Sequence, residues 1–192
     1  THLIQAVGWE LHKQGKRVLY ITSEYFTNQF VKAIRTNNLE QFRQIFRTPQ
    51  ALLIDDIQFF AGKEGTQEEF FHTYNALHET NRQVIMTSDR LPRQIPSLEN
   101  RLISRFESGM IADVSPPDFE TRMAILTSKC KEKGAAIPYE LLTLVAETIR
   151  ENIRELEGAL NKIIASHEFY RLAPPKDSVE KILLSLSPSR MK

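Results

Sequence analysis

Short apolar runs punctuate the first part of the chain, at residues 18–21, 52–54, 84–86 and 110–114. Near-continuous aliphatic and β-branched runs of this length predict strands buried on both faces of a sheet. Between them the apolar residues fall at helical spacing. Phe30 and Ile34 lie four apart, as do Phe42 and Phe46, while Phe70, Tyr74 and Leu77 continue the pattern. Residues 1–14 also read as a helix, through Leu3, Val7 and Leu11. Strands alternating with helices predict βαβ crossovers and a parallel sheet. A helix with nothing ahead of it is a poor start for such a fold, so a preceding strand is expected upstream of Thr1.

The pattern changes at Ser115-Pro116-Pro117-Asp118. Two prolines cannot continue a strand, and Asp118 is a good helix N-cap. A helix is predicted from Phe119 to Lys133, stopping at Gly134, and a second after Pro138. A third opens at Asn152, with Glu155 three residues on as in a capping box. It carries Ile153, Leu156, Leu160 and Ile164 on one side. Pro174-Pro175 closes this bundle, and a last short helix is predicted over residues 179–186. The expected organisation is an α/β domain over residues 1–115, joined by a proline hinge to a small all-helical lid over residues 116–192.

Composition narrows the class. Of 192 residues 41% are hydrophobic and 26% charged, with a formal net charge of +1. That balance excludes a protein that coats nucleic acid by bulk charge, while leaving room for a local basic patch. The single cysteine, Cys130, forms no internal disulfide, and near a helix end it reads as an inert thiol. No apolar run approaches the roughly 20 residues needed to cross a bilayer. A cytoplasmic protein is expected.

Candidate chemistry collects at strand ends. The run Leu52-Leu53-Ile54-Asp55-Asp56 is an apolar strand finishing in two acids, at the carboxyl edge where parallel sheets bind ligands. One carboxylate there can hold Mg²⁺, and the other can orient an attacking water. A strand that merely ends in a polar turn has the same letters. Thr87-Ser88-Asp89 follows the third run and can reach the same edge, or be an ordinary turn. Thr1 opens the first helix, where the hydroxyl of a phosphate-binding loop meets Mg²⁺. Arg101 and Arg105 share one helical face, with Leu102 and Phe106 on another. Arginine suits a phosphate held by another subunit, since its fork stays charged and binds oxygen bidentately. Many such pairs are only solvated charges. Arg154 stands at the start of the third lid helix, and either reaches a nucleotide or pairs with Glu151 or Glu157.

Five strings in one order resemble the DnaA family, the initiator branch of the AAA+ ATPases: ALLIDDIQF from Ala51, GKEGTQEEFFHTYNAL from Gly62, TSDR from Thr87, RLISRF from Arg101 and NIRELEGAL from Asn152. The resemblance spans nearly the whole chain and implies a P-loop NTPase sheet flanked by helices, with a helical lid. It implies ATP or ADP with Mg²⁺ as ligands, Thr1 as the last hydroxyl of the phosphate loop, and a chain beginning inside that loop. Asp55 and Asp56 match the Walker B acids, Asp89 the sensor 1 position and Arg154 the sensor 2 arginine. Arg105 matches the arginine finger that touches ATP on a neighbour, and Arg101 belongs to the same interface. An extra helix pair, expected over residues 27–47, places Val31 with Lys63 and Thr66 on a surface facing single-stranded DNA. Gly65 departs from the pattern, since several family members carry a basic residue there.

The implied function is a replication initiator core that assembles with ATP into a helical filament and opens origin DNA. ATP acts as an assembly switch with slow hydrolysis, and the chain by itself is expected to be inactive. The helicase-recruiting and duplex-reading domains are not part of the sequence, so contact with the replicative helicase is implied through them. Two rivals remain open at this stage: a helicase loader or DnaA-related regulator, and a metabolic P-loop kinase. Smaller features read more plainly. The five histidines lack metal-ligand spacing supported by cysteines, with His72 and His78 packing or surface residues. Phe59, Phe60, Phe70 and Phe71 read as core, and the charges of residues 129–133 as a solvated helix face.

Overall fold

The computed structural model describes residues 1–150 and 152–170, and their side chains as far as residue 166. Pro174-Pro175, the helix expected over residues 179–186, Glu151 and the His167 side chain lie outside the described residues. The elements run α1 (His2–Lys13), β1 (Val18–Thr22), α2 (Ser23–Arg35), α3 (Leu39–Arg47), β2 (Ala51–Asp55), a 3₁₀ turn (Ile57–Phe60), α4 (Glu64–Glu79) and β3 (Gln83–Met86). A second 3₁₀ turn (Pro92–Gln94) precedes α5 (Asn100–Glu107), α6 (Phe119–Glu132), α7 (Tyr139–Thr148) and α8 (Ile153–Tyr170). The chain divides into two compact units, Thr1–Ile111 and a second from Ala112 onward.

The sheet is parallel in the order β1-β2-β3, with Val18 opposite Ala51 and Ala51 opposite Gln83. Period-2 alternation then sorts its side chains. Val18, Tyr20, Ala51, Leu53 and Ile85 meet Ile4 and Leu11 of α1. Leu19, Ile21, Leu52, Ile54, Val84 and Met86 face a larger core that includes Phe26, Phe42, Phe46, Phe70, Leu77, Leu102 and Phe106. Central β2 is buried throughout, whereas β3 is half-buried, as befits an edge strand. Helix α1 approaches β2 closely because Gly8 has no side chain. A Cβ there would stand 2.7 Å from Leu53 Cδ2.

Phe26 of α2 is the hub of the larger core. Its ring meets Phe42, Phe46, Phe60 and Phe70 edge-on at centroid distances of 5.1, 5.0, 5.9 and 5.5 Å. Such tilted pairs add to the burial of apolar area. The expected helix pair is α2 with α3, and a buried carboxylate ties it to α4. Glu69 accepts Arg43 Nε at 3.2 Å and Nη2 at 3.1 Å, and Arg47 Nη2 at 2.6 Å.

Three expectations are corrected. Residues 110–114 form no strand, and Met110 is 97% and Val114 68% exposed. An extended segment becomes a strand only through a ladder partner, and among the described residues none pairs with it. Phe59 is exposed and outside the aromatic core. Ile153 is also exposed, while Leu156, Leu160 and Ile164 of the same helix are buried.

The second unit packs α6, α7 and α8 around Leu126, Val145, Leu156 and Ile163. Asp118 caps α6, its Oδ1 accepting Thr121 N at 2.8 Å, and Gly134 ends the turn after it at φ +64°. Asn152 Oδ1 accepts Arg154 N and Glu155 N at 2.9 and 3.4 Å. Glu155 returns to the Asn152 side-chain amide at 3.2 Å rather than to its backbone, a variant of the expected box. Arg122, buried in α6, donates to Pro117 O at 2.6 Å and Ala146 O at 2.9 Å, anchoring the proline segment to this bundle. Burial pushes the Cys130 thiol up, which keeps it protonated and unreactive.

Removing the Glu69 carboxylate tests how firmly α3 is tied down. Its two arginines are partly exposed and can return to water, which lowers the cost below that of a fully buried pair. Glu69→Ala is expected to lose about 1–3 kcal/mol, read as a lower urea midpoint at unchanged m-value.

Candidate functional site

Sheet parity brings three polar side chains to one spot. Thr22 stands opposite Asp55 in the β1–β2 register, and Tyr20 lies two residues earlier on the same face. Thr87 follows β3 on that face too, its amide donating to Ile54 O at 3.0 Å. Asp55 therefore ends β2 with a neighbour on either side. Tyr20 Oη donates to its Oδ2 at 2.9 Å, and Thr87 Oγ1 donates to its Oδ1. The Thr1 nitrogen, at the mouth of α1, lies 3.6 Å from Oδ1. This carboxylate is 2% exposed.

Burial alone would raise the Asp55 carboxyl. Donation by Thr87, with Thr1 and Tyr20 adding to it, outweighs burial and holds the group below the usual carboxylate range. Burial and the neighbouring Asp55 charge push the Tyr20 phenol up, so it stays a donor. Asp55 is thus a fixed anion at the mouth of a helix whose first amides have no intrahelical acceptors.

Asp56 turns the other way. It sits in the left-handed region at φ 61°, ψ 53°, which an aspartate tolerates better than most residues. Its amide donates to Thr87 Oγ1 at 3.0 Å and its carbonyl accepts Ser23 Oγ at 2.6 Å. Its Oδ1 accepts Gln58 Nε2 at 3.1 Å. Adjacent in sequence, the two carboxylates have different partners, and the Thr87 hydroxyl links them by accepting the Asp56 amide while donating to Asp55.

None of the other candidates contacts Asp55 among the hydrogen bonds and ion pairs of the described residues. Asp89, expected at the same edge, is half-exposed and pairs with Arg90 at 2.8 Å, and the polar contact to Asp55 comes from Thr87. Tyr20 was not singled out from the sequence, because it follows from no motif, and Thr87 was read only as part of the Thr87-Ser88-Asp89 strand end expected at this edge. Strand order and register place them beside Asp55. Arg101 and Arg105 are both exposed on α5, opposite the buried Leu102 and Phe106. Arg154 is exposed in the first turn of α8, while Glu157 pairs with Lys129 at 3.7 Å. Val31 is exposed beside a groove on α2 lined by Asn28, Lys32, Arg35 and Thr36. Lys63 is half-buried ahead of α4, but Thr66 is 5% exposed and offers little side chain to a ligand. A Cβ at Gly65 would lie 3.9 Å from Phe30 Cε1, so the start of α4 adjoins α2.

Thr87 carries a separable effect. Asp55, with its lowered folded pKa, contributes stability above the unfolded value near ~3.9, and that contribution is lost as pH falls through the folded value. Thr87→Val removes the strongest donor, so Asp55 is expected to titrate at higher pH in a carboxyl-carbon NMR titration. Acid unfolding should begin at correspondingly higher pH, and Thr87→Ser should leave both near wild type.

The family model of the bacterial DnaA ATPase domain matches residues 1–113. Among solved structures, domain III of the Thermotoga maritima replication initiation protein DnaA is 37% identical, with a TM-score of 0.91 over 96% of this chain and 78% of that one. A replication initiator DnaA bound to AMPPCP and single-stranded DNA is 35% identical, with a TM-score of 0.77 over 88% of this chain and 54% of its own. AMPPCP-bound DnaA from Aquifex aeolicus is 37% identical, with a TM-score of 0.76 over 84% and 50% respectively. The chain spans about half the length of these last two. By the extent and identity of these matches, the chain belongs to the bacterial DnaA ATPase-domain family.

Proposed function

We propose that this chain is the ATP-responsive core of a replication initiator, which assembles on origin DNA and holds one strand open. The observation that carries this is Asp55, an anchored anion at the mouth of α1, in the same unit as an exposed arginine pair on α5. Similar DnaA chains solved with AMPPCP, one of them also with single-stranded DNA, support the choice of ligands.

The donor set suits a nucleotide with Mg²⁺. Hard oxygens from Asp55 and Thr1 lie at a helix N-terminus, and Mg²⁺ is ordinarily shared between such residues and phosphate. Among the described residues no group of three His, Cys, Asp or Glu is placed to hold a metal unaided, so the phosphate would complete the shell. Mg²⁺, when bound, neutralises charge on the phosphate oxygens. Asp56 would orient water, and its slot between Thr87, Ser23 and Gln58 restrains it. Asp89 is assigned a phosphate-sensing role, and Arg154 a nucleotide contact, by the family resemblance alone.

Arg105 would reach the nucleotide of the next subunit, with Arg101 beside it, making a head-to-tail contact that does not close. Such contacts build a helix rather than a ring, and loss of the γ-phosphate would remove what Arg105 binds. Val31 on α2 and Lys63 just ahead of the adjoining α4 would line the path of a single strand. Thr66, being buried, would shape that surface more than touch it. Among the described residues no helix is long and apolar enough to cross a membrane, and we place the protein in the cytoplasm.

Arg105→Ala in the full-length protein is expected to abolish ATP-dependent oligomers at a concentration where wild type assembles, with nucleotide affinity retained. Light scattering with ATP and with ADP reads this, and unchanged assembly would overturn the proposal. Lys63→Ala is expected to weaken single-strand binding at every sequence tested. The slope of log affinity against log salt should flatten by ~0.7 if one phosphate contact is lost.

A further inference from the structure

We propose that Phe71 is a positioning residue for the interface arginines, and that one face of α4 sets the geometry of the helix bearing them. Positions 67, 71 and 74 follow helical spacing and line one stripe. Each meets α5 or the chain entering it.

Gln67 is fully buried, and its amide is used on both ends. Nε2 donates to Phe60 O and to Ser97 O, each at 2.9 Å, while Oε1 accepts Glu99 N at 2.8 Å. Glu99 immediately precedes α5, so this glutamine fixes where the helix starts. Tyr74 Oη donates to Arg105 O at 3.3 Å, holding the backbone of the outer arginine.

Between these two anchors the Phe71 ring lies under both guanidinium groups. The Cζ of Arg101 is 4.7 Å and that of Arg105 is 6.0 Å from its centroid. A ring face attracts a cation and offers a flat surface on which a planar guanidinium stacks. Arg101 is steadied further by its ion pair with Glu99. Two like charges on neighbouring turns repel, and an unsupported arginine explores many rotamers. The ring holds both side chains against α4, so less freedom is lost when a partner's phosphate arrives.

This rests on the reading of Arg105 as the residue that meets a neighbour's nucleotide. Phe71 would touch neither nucleotide nor partner, and would act only through the arginines. It is half-buried against the core, so leucine keeps the packing while removing the π face.

The test compares Phe71→Leu, Phe71→Tyr and Arg105→Ala in the full-length protein. Phe71→Leu is expected to raise the protein concentration needed for ATP-dependent assembly by about two- to five-fold, the value of one exposed stacking contact. Its affinity for fluorescent ATP should not change, and Phe71→Tyr should restore assembly. In NMR spectra the ring should shift the Arg101 and Arg105 Hε signals upfield, an effect lost in the leucine variant and kept in the tyrosine variant. If Phe71→Leu assembles like wild type while Arg105→Ala does not, the positioning role is wrong and the initiator reading stands. If Arg105→Ala also assembles normally, the initiator reading falls and this inference with it. Should Phe71→Leu fail to fold, wild-type Hε signals at ordinary positions would overturn the proposal, and upfield signals preserved in Phe71→Tyr would support it.

Discussion

A buried carboxylate without a counter-ion in its own strand is costly, and the first unit is arranged around meeting that cost. Asp55 ends the central strand at 2% exposure. It remains ionised because β1 and the chain after β3 each supply a hydroxyl donor, and α1 brings its N-terminal end alongside. None of these donors is near Asp55 in sequence. The charge can exist only if sheet order, register and the seating of α1 are all correct. That makes the site a consequence of the fold, and explains why its polar groups lie at strand tips.

Much of the fold was legible in the residues. Aliphatic runs located β1, β2 and β3, and four-residue spacing found α2, α3 and α4, because burial imposes those periods directly. Asp118 and Asn152 announced their helices through capping chemistry that operates locally. Residues 110–114 carry the same aliphatic signal, but a strand is a relation between two segments, and composition cannot show whether the second is there. Phe59 misled for a related reason. Phe60 on the same 3₁₀ turn is buried, whereas Phe59 lies on the outward side of that turn, and adjacent identical letters do not show which of the two faces in.

The candidate site was legible only through its charged members. Asp55, Asp56, Arg101 and Arg105 could be picked out as candidates by motif and spacing. Tyr20 became visible only once parity and register were known, as it looks like any other strand residue, and Thr87, read at first as one of three polar residues after the third run, gained its contact with Asp55 from the same register. The same holds for Gln67 and Phe71, which sit within an amphipathic helix and differ from its other inward residues only in what they meet on α5. Residues that support a functional group are recognised by neighbours rather than by letters.

The bare backbone at Gly8 also bears on the site. With 2.7 Å between a would-be Cβ and Leu53 Cδ2, any side chain at this position has to displace Leu53 or lift α1 off β2. Lifting α1 would carry the Thr1 nitrogen away from Asp55, so the missing side chain at Gly8, remote from the carboxylate, governs one of its neighbours.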